Sequence, residues 1–158
     1  MDIDYWAALA EIAGGVATLL TLFYLALQIR ENTSLSKRNA LENYVDRLAR
    51  WWSSMRADPE QLSIYLEGDR DFHSLDEVAK SRYHYMKLEI MAYMETALEH
   101  GKARGFKDET LEATLRAIQF EMRGSGAHQW WHEMGKEVFA NDFSSRVESL
   151  VLELDHKK

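Results

Sequence analysis

Ile12–Ile29 reads IAGGVATLLTLFYLALQI, an uncharged run closed by Glu11 on one side and by Arg30 and Glu31 on the other. At 1.5 Å per residue a helix over this run is about 27 Å long, close to the roughly 30 Å of hydrocarbon in a bilayer. Nine of its residues are Leu, Ile, Phe or Val. Their insertion energies of about −0.3 to −0.6 kcal/mol each sum to roughly −4 kcal/mol before Gly, Thr and Gln reduce the gain. The run predicts a transmembrane helix and divides the chain into residues 1–31, a membrane helix with a short outer start, and residues 32–158, a cytoplasmic helical domain.

The flanks set the expected orientation. No Lys or Arg precedes the run, only Asp2, Asp4 and Glu11, whereas Arg30, Lys37, Arg38, Arg47 and Arg50 follow it. The positive-inside rule then places the N-terminus outside and the C-terminal domain in the cytoplasm. A cleaved signal peptide expects a basic start and a shorter apolar core, so these residues predict a retained anchor. Tyr5 and Trp6 fall at one edge, where amphipathic rings favour the headgroup level, and Arg30 can snorkel at the other. Glu11 fits a carboxylate reaching into headgroups.

At 100° per residue the run has two sides. Ala10, Gly14, Ala17, Thr21, Tyr24 and Gln28 fall on one, and Ile12, Val16, Leu19, Phe23 and Leu27 fall opposite. Small and weakly polar side chains let membrane helices approach closely and hydrogen-bond, so the first face is expected to pack on another helix and the second to meet lipid. The alternating spacing of 3 and 4 favours a left-handed crossing.

After Asn32-Thr33-Ser34 the pattern becomes that of a water-facing helix, with Leu41, Tyr44, Val45, Leu48, Trp51, Trp52 and Met55 at helical spacing. No Pro or Gly interrupts it before Pro59, so one long helix is expected, with both tryptophans in the core. Asp58-Pro59 should stop it and start a short helix to Glu67, followed by a polar connector over Gly68–His73. Ser74-x-x-Glu77 has the form of a capping box, predicting a long helix from Leu75 to about His100, ended by Gly101 and Gly105. Asp108 should cap a helix to about Met122, and Gly124-Ser125-Gly126 breaks the chain again. A helix over Ala127–Glu137 and a last one from Asn141 or Asp142 complete an all-α fold, a small antiparallel bundle after the membrane helix. In the last helix Phe143, Val147, Leu150, Val151 and Leu154 form the stripe.

The chain has 158 residues, and about 125 remain beyond the span, enough for one compact helical core. The absence of cysteine excludes disulfides, thiolate metal sites and a Cys nucleophile. A net charge of −7 argues against nucleic acid as a partner, since phosphates demand a basic face. His128 and His132 lie four apart, as two metal ligands on a helix can, yet Gln129 stands where the zinc-protease motif has Glu and no third ligand is fixed nearby. Glu89, Glu95 and Glu99 lack the His three residues later that di-iron bundles use. Met86, Met91 and Met94 beside Tyr83, Tyr85 and Tyr93 fit a core before they fit a ligand groove.

YLALQIRENT at Tyr24–Thr33, the Ala57-Asp58-Pro59-Glu60 turn, the Met94–Gly105 stretch and HQWWHEMGKEVFANDF at His128–Phe143 resemble a widespread group of small, uncharacterised bacterial proteins with an N-terminal membrane helix and a helical domain. The resemblance implies a bacterial inner-membrane location and carries over no activity. With no recognisable reacting constellation and no cofactor signature, the expected role is that of a non-enzymatic, single-pass accessory or assembly subunit. It would dock by its membrane helix and its cytoplasmic domain on other membrane-protein subunits or on a second copy of itself. The alternative is a membrane-tethered sensor or enzyme that binds a small molecule or metal near His128, His132, Glu95 and Glu99. A third reading buries Ile12–Ile29 inside a soluble oligomer.

Overall fold

The computed structural model describes residues 3–101, 103 and 105–155; within them the side chains of Tyr5, Ala8, Leu154 and Asp155 are not described. Asp2 lies outside the described residues. The fold is all-α, and no strand occurs among the described residues. Helix α1 spans Ile3–Ala57, α2 Pro59–Arg70, α3 Glu77–His100, α4 Asp108–Glu121, α5 Ser125–Trp130 and α6 Asn141–Asp155. A 3₁₀ turn at Phe72–Ser74 precedes α3, and a π-helical turn at Trp131–Gly135 follows α5.

Helix α1 remains helical through Asn32-Thr33-Ser34, where the Thr33 hydroxyl donates to the Ile29 carbonyl at 2.8 Å instead of competing for the helix's own donors. Its residues belong to two compact units, one ending at Asn39 and the other beginning at Ala40. The hydropathy of the sequence draws its limit earlier, at Glu31, because apolarity ends before the first side chain is half-buried, at Ala40.

In the first unit every described side chain is exposed. This helix is long and apolar enough to cross a membrane, and no part of its apolar window is buried. The hydroxyls of Thr18 and Thr21 donate to the carbonyls of Gly14 and Ala17, at 2.9 and 2.8 Å. Both are thus satisfied within the helix.

In the second unit α1 presents Ala40, Tyr44, Leu48, Trp51 and Met55 to the core, with Trp51 and Met55 buried. Leu41, Val45 and Trp52, expected on the same stripe, are exposed; Trp52 meets Trp51 edge-on at 4.8 Å from outside the core. Consecutive residues point about 100° apart, and here Trp51 faces the core while Trp52 does not.

Asp58 takes an extended conformation and accepts from the N–H groups of Glu60 and Gln61, while Pro59 fills the first helical position. Helix α2 then continues beyond Glu67 through Gly68 to Arg70, so the connector expected at Gly68–His73 shrinks to a short turn. Gly68 is buried, and a Cβ there would lie 2.3 Å from the Tyr83 ring. The glycine permits close approach of α3 and does not break the helix.

The capping box at Ser74 is also corrected. Asp76 is the N-cap of α3 and accepts from the Ala79 N–H at 2.8 Å, whereas the Ser74 hydroxyl donates to the Asp71 carbonyl in the preceding turn. Helix α4 starts with Asp108 inside its first turn and Lys107 at the N-cap position, without a side-chain cap. Between α3 and α4, Gly105 holds the positive φ of 86° that an L side chain rarely adopts, and Phe106 N–H returns to the Gly101 carbonyl at 2.8 Å. The single helix expected over Ala127–Glu137 is α5 followed by the π turn, closed by Lys136 N–H on the Trp131 carbonyl at 3.0 Å.

Helix α3 is central to the domain. Its buried residues, Tyr83, Met86, Lys87, Ile90, Met91, Met94 and Ala97, repeat at helical spacing. Around them lie Tyr65, Phe72, Ile118, Met122, Trp130, Trp131, Phe143, Val147 and Val151.

Candidate functional site

The residues singled out on the membrane-length helix stand open. Ala10, Gly14, Ala17, Thr21, Tyr24 and Gln28 are all exposed, as are Leu19 and Phe23 on the opposite side, at 68% and 66%. A Cβ added at Gly14 would meet nothing within 4 Å, so no contact within the chain requires a glycine there. Trp6 and Arg30 are exposed at the two edges, and the Tyr5 side chain lies outside those described.

The histidine and carboxylate candidates are dispersed. His128, half-buried, bonds through Nε2 to the Met122 carbonyl, while His132 is exposed. Glu95 accepts from the Ala140 N–H at 2.8 Å, just ahead of α6; Glu89 accepts from the Tyr93 hydroxyl at 2.5 Å; Glu99 is exposed. Among the described residues no group of three or more His, Asp or Glu side chains is arranged to hold a metal ion.

The strongest polar constellation is one the sequence reading passed over. Lys87 is fully buried, and its Nζ lies 2.8 Å from Asp69 Oδ1, 3.0 Å from Glu121 Oε2 and 2.8 Å from the Glu121 carbonyl. These contacts use the three donors of an ammonium group. The ammonium also lies over the rings of Tyr65 and Tyr83, at 4.8 and 5.7 Å from their centroids, where ring quadrupoles attract a cation. Tyr65 donates its hydroxyl proton to Glu121, and Tyr83 donates to Asp69 at 2.6 Å.

Burial, reinforced by the neighbouring carboxylates, pushes both phenols well above the ordinary tyrosine range, so both remain donors. The cluster joins α2, α3 and α4. Lys87 and Glu121 have side-chain exposures of 0% and 2%, and only Asp69, at 22%, meets solvent. With every ammonium donor engaged, the arrangement can fix three helices in register and presents no free reactive atom at Lys87. The available signal was a lysine four residues after Tyr83 and three before Ile90, on an otherwise apolar stripe.

A second polar contact joins α3 to α5: the indole N–H of the buried Trp130 donates to Nδ1 of His84 at 3.0 Å. Burial lowers the His84 pKa below its ordinary value. Elsewhere Gln129 Oε1 accepts from the Phe72 N–H at 2.8 Å, and the Ser125 hydroxyl donates to the Arg70 carbonyl at 2.6 Å, tying α5 to the end of α2.

Comparison with protein-family models, with curated proteins and with solved structures finds no match to this chain.

Proposed function

We propose that this protein is a single-pass accessory or assembly subunit without catalytic activity of its own. It lies in a bacterial inner membrane with its N-terminus outside and the domain after the span in the cytoplasm. The observation that carries this reading is the apolar stretch of helix near the N-terminus, long and apolar enough to cross a membrane and with no buried residue in its apolar window. Exposed apolar surface of this extent is costly in water and marks contact with lipid or protein. The strip from Ala10 to Gln28 is its protein-facing side: a Cβ added at Gly14 would meet nothing within 4 Å, and small residues let a neighbouring backbone approach. The partner is another membrane subunit or a second copy.

Carbonate-washed membranes should retain the protein, and native gels in mild detergent should show it within a larger complex or homo-oligomer. Gly14→Leu should weaken that complex, while Leu19→Ala on the opposite side should leave it intact. Release by carbonate removes the membrane reading; a monomer insensitive to Gly14→Leu removes the docking role.

A further inference from the structure

Trp130 and His84 make a hydrogen bond whose existence depends on a proton. The Trp130 ring is completely buried, and an indole N–H can only donate. Its partner, His84 Nδ1 at 3.0 Å, must be unprotonated to accept, so the neutral imidazole with its proton on Nε2 makes this contact. The imidazolium carries a proton on both nitrogens, leaving the buried indole without its acceptor. Trp130 is also poised mechanically: it closes α5, leads directly into the π turn at Trp131–Gly135, and meets Tyr83 edge-on at 6.4 Å.

We propose that His84 is a protonation switch on the contact between α3 and α5, holding Trp130 when neutral and releasing it in mild acid.

Of the charged groups on the elements around the pair, several hold partners of their own and the rest are exposed or half-buried. On α3, Lys80 pairs with Glu77 and lies over the Phe72 ring, Lys87 is bound by Asp69 of α2 and Glu121 of α4, and Arg82 pairs with Glu60 of α2. On α5 and the π turn, His128 bonds to the Met122 carbonyl and Glu133 to His73, while His132 is exposed. On α6, Asp142 and Arg146 are exposed and Glu148 is half-buried.

Burial is the cause that lowers the His84 pKa, and the sign follows from it. The unfolded chain, with an ordinary histidine value of 6.5, binds the proton more readily than the folded one. The contact therefore contributes fully above about pH 6.5 and is lost as pH falls through the lower folded-state value.

The test uses the full chain in detergent micelles, 15N-labelled at the tryptophan indoles, with the Trp130 resonance assigned by Trp130→Phe. Between about pH 7.5 and 5 that resonance should shift, with a midpoint below the ordinary histidine value, and should stay fixed in His84→Gln, whose amide oxygen accepts without titrating. A flat Trp130 resonance in the unaltered protein, or the same titration in His84→Gln, overturns the switch. Should that variant not fold, 13C-labelled histidine in the unaltered chain reads His84 directly. A His84 midpoint matching that of Trp130 supports the coupling, and a different one overturns it.

Discussion

Lys87 is the residue whose environment departs furthest from the expectation for its type. A lysine is rarely fully buried, and this one is tolerated because two carboxylates, a carbonyl and two aromatic faces replace its water. Removing one partner of such a set leaves charge buried without compensation, so Lys87→Met should destabilise the domain by about 3–5 kcal/mol in chemical denaturation. Adding Glu121→Leu should recover part of that loss, and strictly additive penalties would mean the groups do not act together. Gly68 makes the complementary case: a methyl there meets the Tyr83 ring, so Gly68→Ala should cost about 1–3 kcal/mol through overpacking. Neither role was legible in the chain. A lysine on an apolar stripe does not name its partners, and Gly68 in sequence resembles an ordinary helix breaker.

At the scale of elements, caps show how local chemistry fixes some boundaries and leaves others open. Asp58-Pro59 was legible because proline constrains both itself and the residue before it, whatever the fold around them. The start of α3 was not, because Ser74 and Asp76 both have capping side chains and only the path through the Phe72–Ser74 turn decides which one faces the free N–H groups. Asp76→Ala should cost about 1 kcal/mol and speed hydrogen exchange at the Ala79 amide, whereas Ser74→Ala should leave that amide unchanged. Equal effects at both positions would restore the capping box. The π turn at Trp131–Gly135 belongs to the same class, since the local sequence reads as one continuous helix from Ala127.

For the molecule as a whole, the proposed topology rests on charge distribution about one apolar helix. The chain contains no cysteine, so single introduced thiols report sidedness without background. A membrane-impermeant thiol reagent should label Asp4→Cys in spheroplasts and reach Glu109→Cys, on an exposed position of α4, only after permeabilisation. The reverse pattern inverts the orientation, and labelling of both in spheroplasts removes the span.

Sequence by itself determined the all-α class, the presence of a helix long and apolar enough to cross a membrane, and the core-facing positions of the end of α1, of α3 and of α6, among them Trp51, Tyr83, Ile90, Phe143 and Val151. These follow from side-chain apolarity and the 3.6-residue period, properties that each segment carries without its neighbours. Only the tertiary structure decided that Lys87, Asp69, Glu121, Tyr65 and Tyr83 form one cluster, that Trp130 donates to His84, and that Gly68 marks a close approach of helices. Those contacts join residues far apart in the chain, and whether a buried polar group is satisfied depends on which partner the packing brings within hydrogen-bond reach.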